Sequence, residues 1–398
     1  MNGSSSLASR FDVVVAGGSI AGLTFAAEAA NKGLSVLVVE EHSEIGEPEK
    51  CDGLVSLRGL KRYDYPPRPE AVQNVIASGV IHSPLGRHFT IDATAFDIIV
   101  LDRSAYDKQV ADAARTNGAE VVTGERASGF LEAQDGVSVD VGGETLTARY
   151  YIDATGPSSS LRDGILPAAK YELEGDWVRE RAVEIFLDAK RFPGFFAWVI
   201  PVGQHVAKVG VAGFGISPFK ALDSFLSDKP HRLLRKVSAP IYIGGPVLQF
   251  VSGRKVLVGE SAGQVKPTTA GGIMTSVAGA VMAAHWVSES LRLDDPRLLS
   301  NYQRDWNARF LPEMKTMRRL RRVFERLSNP DLDALVATIA NSRIALRLSK
   351  TDFDFHASAL LRVLGIEDLL RIAGAVASAE VRSLLTQSGG DRSTQQSI

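Results

Sequence analysis

The chain of 398 residues contains one cysteine, Cys51. No internal disulfide can form, and one thiol cannot complete a cysteine-ligated zinc site or iron–sulfur cluster within the chain. That usage fits a reducing compartment and predicts a cytoplasmic protein. Net charge is equally scarce. Lys and Arg total 45 against 46 Asp and Glu, a formal −1, which gives no global pull toward nucleic acid. The opening residues, Met1 to Arg10, lack the apolar core of a signal peptide. A membrane-spanning run is also missing. The most apolar long stretch, Ala270–Val287, is interrupted by Thr275, Ser276, His285 and glycines, so it predicts a buried helix. No internal repeat is visible.

What remains is an ordinary globular composition, 45% hydrophobic and 23% charged, with enough length for two or three lobes. Residues 1–10 and 388–398 are rich in Ser, Gly and Gln and read as frayed ends. Asp12–Ala16, Ala21–Lys32 and Ser35–Val39 read as a strand, a helix and a second buried strand, a βαβ unit. Residues 46–60 read as a Gly/Pro loop entering a short helix, and 72–100 as alternating strands. Asp102–Gly118 reads as helix, and 119–152 as strands with turns at Asp135-Gly136 and Gly142-Gly143. Glu180–Leu187 and Ala197–Phe214 predict antiparallel strands of a second lobe. From about residue 290 the pattern is helical, with a basic tract containing Arg318, Arg319, Arg321, Arg322 and Arg326. Such a face is most often solvated. It also suits an anionic membrane surface or a substrate phosphate.

Two loops carry the chemistry. Gly17-Gly18-Ser19-Ile20-Ala21-Gly22 follows the first strand and opens the first helix. It has the frame of G-x-G-x-x-G, with Ser19 at the middle glycine. The first glycine permits a tight turn, and Gly22 lets helix and strand approach. Glu40 ends the second strand, where an acid can bond ribose hydroxyls. The second loop, 259–273, reads Gly-Glu-Ser-Ala-Gly-Gln-Val-Lys-Pro-Thr-Thr-Ala-Gly-Gly-Ile. An apolar strand, Lys255–Gly259, leads in, and a helical pattern, Gly272–Val287, leads out. Backbone N–H groups and a helix dipole there suit an anion or a carbonyl oxygen. Arg103, opening a helix, can reach the adenylate side of an extended dinucleotide. Gly156, in the small-residue turn 153–158, lets backbone pass close to a cofactor. Together these favour FAD over NAD. Glu260 would then meet the ribityl chain, and the helix start at Gly272 and Ile273 would face the flavin pyrimidine.

The order of these segments resembles the p-hydroxybenzoate hydroxylase fold superfamily, and more narrowly the geranylgeranyl reductase family. The likeness covers most of residues 11–310. Pro48-Glu49-Lys50-Cys51-Asp52-Gly53 fits that family's P-x-x-C-x-G loop. Phe196-Ala197-Trp198-Val199-Ile200-Pro201 is similar to its aromatic-x-Trp-x-Phe/Ile-Pro strand. The loop 259–273 resembles G-D-A-A-G-x-x-x-P-x-x-G-G-G-I, and Tyr302 and Trp306 fit a Tyr-x-x-x-Trp helix. Three positions depart: Ser19 and Ala270 replace glycines, and Glu260 replaces aspartate.

The resemblance implies an α/β fold in which a Rossmann-like FAD domain (1–62, 101–163 and 250–290) interleaves with an antiparallel-sheet substrate domain (63–100 and 164–249). A helical C-terminal region (291–398) follows. It implies FAD held by Gly17, Ser19, Ile20, Ala21, Gly22, Glu40, Cys51, Gly53, Arg103, Gly156, Glu260, Gly263, Pro267, Gly271, Gly272 and Ile273. It places an isoprenoid or lipid substrate beside Phe196, Trp198 and Pro201, with Cys51 as a candidate proton source and no metal. The implied reaction saturates isoprenoid C=C bonds. One dinucleotide fingerprint leaves no dedicated NADPH domain, so reductant comes from outside, as NADPH, a deazaflavin or a ferredoxin. Peripheral membrane contact follows from a lipid substrate. Competing readings are a flavin monooxygenase or halogenase on an aromatic substrate, and a flavin-binding lipid carrier without catalysis.

Overall fold

A computed structural model describes residues 10–157, 164–238, 240–341, 344–349, 353–355, 357 and 374. The chain divides into two compact units. The first comprises 1–73, 99–165 and 242–315, and the second 74–98, 166–241 and 316–398.

The first unit is built on a mostly parallel sheet. Its order is Val251–Ser252, Lys255–Leu257, Glu144–Asp153, Arg10–Ala16, Val36–Glu40 and Glu120–Thr123. The hairpin strands Ala127–Ala133 and Gly136–Val141 extend it from Glu144–Asp153. Val13, Val14 and Val15 are wholly buried. A central parallel strand is covered on both faces and so reads as a continuous apolar run. Val14 pairs with Tyr151 on one side and Leu37 on the other. The helix Ile20–Asn31 buries ten of its twelve residues and packs on the helix Ile273–Leu293. Small side chains permit that approach, Ala26 and Ala29 on one helix and Ala280, Ala283 and Ala284 on the other, all buried. The sequence expectation of a buried helix after residue 270 corresponds to Ile273–Leu293.

The second unit carries a seven-stranded sheet. Its order is Arg232–Ser238, Ala168–Glu174, Val206–Ala212, Phe196–Gly203, Ala182–Leu187, Ser78–His82 and His88–Asp92. All pairs are antiparallel except Ala182–Leu187 with Ser78–His82. Alternation sends Ala197, Val199, Val209 and Val211 into one core with Leu222 and Phe225 of the helix Pro218–Leu226. The opposite face sends Ile185, Leu187 and Phe196 into a second core with Leu332 and Val336 of the helix Asn329–Ala340.

The boundaries differ from the sequence expectation. Residues 63–73, 242–249 and 291–315 group with the first unit. Tyr302 and Trp306 explain the last of these, because both are buried against Phe250. The helix Ser300–Phe324 therefore starts as part of the first unit's core. The expectations for the ends of the chain fall outside the described residues, apart from the start of the first strand at Arg10.

Candidate flavin site

The front loop is shaped by two close backbone approaches. Gly17 has φ +104°, and a Cβ there would lie 2.5 Å from the Ala154 carbonyl oxygen. A Cβ on Gly22 would lie 2.0 Å from the Gly17 oxygen. Only glycine fits either position. Ser19 caps the helix in extended conformation, is exposed, and makes no side-chain cap bond. Ile20 and Ala21 are buried, and the Leu23 N–H is bonded back to the Ser19 carbonyl. The preceding N–H groups of the first turn have no intrahelical acceptor, the arrangement that receives a phosphate.

Glu40 anchors this loop. One oxygen accepts the Gly18 N–H at 2.7 Å, and the other accepts the His42 N–H at 3.0 Å and faces His42 Nδ1 at 2.5 Å. Burial pushes its carboxyl up, but the His42 and Gly18 N–H groups outweigh burial and hold it below the usual range.

The segment 46–53 is strapped to the helix Arg103–Thr116. The Leu101 N–H bonds to the Gly53 carbonyl at 3.0 Å, and Glu49 accepts the Arg103 N–H at 3.3 Å. The half-buried Cys51 thiol accepts the Gly53 N–H at 3.4 Å. Arg103 was expected to reach the adenylate. Instead its guanidinium is buried and forks onto Asp107, with Nε to Oδ1 at 3.1 Å and a terminal nitrogen to Oδ1 and Oδ2 at 2.9 and 3.0 Å. It also hydrogen-bonds the Cys51 side chain. Burial alone would favour loss of its charge, yet Asp107 and Cys51 keep Arg103 ionised. Two charged residues four apart on one helix face meet in this way by geometry.

The rear loop meets the front loop directly. A Cβ on Gly259 would lie 2.5 Å from the Ala21 methyl. Gly259–Ala262 is a single 3-10 turn, and the half-buried Glu260 accepts the Tyr242 N–H. Burial pushes the Glu260 carboxyl up to about 7, against the pull of that N–H and of the Arg103 charge. Gly263 ends the turn in left-handed conformation. Pro267 is buried, Gly271 and Gly272 are half-buried, and Ile273 begins the long helix behind its cap Gly272. The Ser276 N–H bonds to the Gly272 carbonyl, so the earlier N–H groups of this helix also lack intrahelical acceptors. Gly156 stands at the third strand end. Its N–H donates to Ser261 Oγ at 3.0 Å, and that hydroxyl also lies 3.1 Å from Asp153 Oδ1.

The residues present fit FAD. Two helix starts with open N–H groups, three strand ends in register and glycine positions closed to any Cβ form a cradle for an extended dinucleotide.

Ala270 has φ +57°, the left-handed region that favours glycine. An alanine there costs about 1–2 kcal/mol, and glycine returns roughly 0.5–1 kcal/mol through its unfolded-state entropy. Ala270→Gly is expected to stabilise the protein by about 1 kcal/mol. A urea midpoint that falls would refute the strain.

Sequence reasoning missed the brace beneath this loop. Gln264 is wholly buried. Its Oε1 accepts the Gly259 N–H at 2.8 Å, its Nε2 donates to Tyr302 Oη at 2.8 Å, and Tyr302 donates to the Leu257 carbonyl at 3.0 Å. The Tyr302 position was visible as a motif, but its partner lies 38 residues away.

In the second unit, the Trp198 indole lies over Gly210, where a Cβ would sit 2.3 Å from its ring. Its Nε1 is buried with no acceptor among the described residues. Phe195 and Phe196 stack at 3.9 Å, and each meets Trp198 edge-on. Pro201 is not brought to this cluster. Alternation along the strand puts Pro201 on the face of Ala197 and Val199, opposite Phe196 and Trp198.

Residues 12–162 match the FAD dependent oxidoreductase family. The chain is 32% identical over 374 residues to digeranylgeranylglycerophospholipid reductase 2 of Methanopyrus kandleri, covering 86% of this chain and 93% of that protein. It is 29% identical to the protein of the same name from Methanothermobacter thermautotrophicus, covering 83% and 92%. Among solved structures, a geranylgeranyl bacteriochlorophyll reductase-like protein of Thermoplasma acidophilum superposes with a TM-score of 0.83 at 22% identity, over 93% of this chain and 98% of that one. The halogenase PltM superposes with 0.66 at 17% identity, over 92% and 85%. At these identities the structures show a shared fold.

Proposed function

The chain belongs to the digeranylgeranylglycerophospholipid reductase family, and we propose on that premise that it is an FAD-dependent reductase saturating isolated C=C bonds of geranylgeranyl chains on an ether lipid. The carrying observation is the 374-residue match to the Methanopyrus kandleri reductase, because it spans both units rather than the flavin cradle alone.

Reduced FAD, when bound, supplies the hydride equivalent that adds to one alkene carbon. The chain's own residues do the rest. The front loop and Glu40 fix the dinucleotide end, and the Gln264–Tyr302 brace fixes the rear loop. A proton must reach the second carbon for the bond to become saturated. Cys51 is the candidate donor. Its thiol is half-buried and lies against the Gly53 N–H and the Arg103 guanidinium. Phe196 and Trp198 offer an apolar face for a prenyl chain. The reductant is an outside donor, and the lipid is met at a membrane surface.

Dithionite-reduced protein, held anaerobic with a geranylgeranyl ether lipid, is expected to yield products heavier by H2 per bond by mass spectrometry. Flavin that stays reduced with lipid unchanged would sink the reading.

A further inference from the structure

The distal half of the helix Ser300–Phe324 presents a run of cations that the flavin site does not use. Arg318, Arg319 and Arg322 stand at i, i+1 and i+4 and are exposed. Arg326 follows four residues on, just past the helix, and is also exposed. At helical spacing these positions lie within one stripe of the surface. None of Arg318, Arg319 and Arg322 has a hydrogen bond or ion pair among the described residues. The neighbouring acid, Glu325, is taken by the buried Arg321, whose Nε lies 2.8 Å from it. Several surface arginines elsewhere are paired, Arg232 with Glu174, Arg292 with Glu289 and Arg297 with Asp295, but none of those others forms a helical cluster of this kind. In a chain whose charges balance to −1, an arginine face without acids is a local feature rather than a surplus. Val323, 39% exposed, lies beside Arg319 and Arg322 and adds an apolar contact.

We propose that this arginine face docks the protein on an anionic lipid bilayer. Guanidinium groups pair bidentately with phosphate oxygens and are only weakly hydrated, so a sheet of phosphodiesters complements the guanidinium groups of Arg318, Arg319 and Arg322. The inference rests on the lipid reductase reading. Among the described residues no helix is long and apolar enough to cross a membrane, and on that reading the lipid substrate is met from the surface. The face supplies the attraction that reading requires. Each arginine near an anionic surface contributes about fivefold in partition, and three together contribute on the order of 100-fold.

The test is flotation of the full-length, flavin-loaded protein with vesicles. One set is phosphatidylcholine alone, and the other is an equimolar mixture with phosphatidylglycerol. The wild-type protein is expected on the anionic vesicles only, and to be released by high salt. The triple variant Arg318→Gln, Arg319→Gln, Arg322→Gln is expected to bind them about 100-fold more weakly, while the triple Lys variant retains most binding. Flavin absorbance and far-ultraviolet circular dichroism check that each variant is folded. Equal binding by wild type and the Gln variant overturns the proposal, as does failure of the wild type to bind anionic vesicles. If the Gln variant keeps vesicle binding but accepts electrons more slowly from a reduced acidic protein, the face serves that protein and the proposal fails. Vesicle binding is read without turnover. Arginine-dependent binding alongside failed lipid reduction would therefore sink the reaction and leave the docking surface standing.

Discussion

Arg103→Met is expected to cost about 3–5 kcal/mol of stability, the largest single-residue effect at this site. The reason is what the substitution leaves behind. Asp107 is buried and takes both its close partners from the Arg103 fork. Without the guanidinium its carboxylate sits in a poorly solvated site, with Glu49 nearby adding repulsion. Burial already pushes the Asp107 carboxyl up against the pull of Arg103, and removing that pull forces it to take a proton or unfold. The denaturant midpoint should fall accordingly. Arg103→Met with Asp107→Leu removes both charges and should recover most of the loss, because an apolar pair of similar volume replaces a buried ion pair at little cost. A loss below about 1 kcal/mol in the single variant would show that the pair does not secure this helix start.

The front loop was legible because its requirements are backbone requirements. Gly17 and Gly22 answer to steric limits that act locally, so their spacing is written into the chain. Ala270 was legible in the same way: it departs from a glycine pattern, and its backbone is left-handed. Arg103 was half legible. Its place at a helix start reads from sequence, but the direction of its side chain depends on Asp107 being buried, which spacing does not reveal. Gln264 was silent, since a polar residue in a loop ordinarily meets water and only the fold delivers Tyr302 to it. Pro201 shows what a motif leaves out. The aromatic-x-Trp-x-Ile-Pro pattern groups three residues in sequence, but a strand's two-residue period divides them between faces. The compact units divide the chain elsewhere than near residue 291 for a similar reason. Helical pattern marks an element, whereas Tyr302 and Trp306 show which core it joins.

Glu260→Gln is expected to change how stability depends on pH, by about 3 kcal/mol across the neutral range. The folded carboxyl is pushed up from 4.5 to about 7 by burial, whereas in the unfolded chain it titrates near the ordinary value. Between these two values the native state holds a proton that the unfolded state has lost. Stability therefore falls as pH rises through this window, and levels off above it. A displacement of this size corresponds to roughly 3 kcal/mol. Below about pH 4.5 the group is protonated in both states and the penalty is absent. Glutamine keeps an oxygen for the Tyr242 N–H and carries no charge to desolvate. The variant should match the wild type near pH 4.5 and exceed it increasingly toward about pH 8. Urea unfolding of the flavin-stripped protein at several pH values reads this directly, because no bound cofactor then contributes to the stability measured. Parallel pH profiles for the two proteins would show that Glu260 is solvated and ionised in the folded chain. It would then stand as an ordinary surface acid, and the reason for a longer side chain at this turn would have to lie in reach toward the cofactor. A divergence that opens between about pH 5 and about pH 7 would show the reverse. The turn at Glu260 would hold a proton near neutrality, and, if this turn holds the cofactor as proposed, flavin retention should then weaken on the acid side, where the carboxyl can no longer accept two hydrogen bonds as an anion.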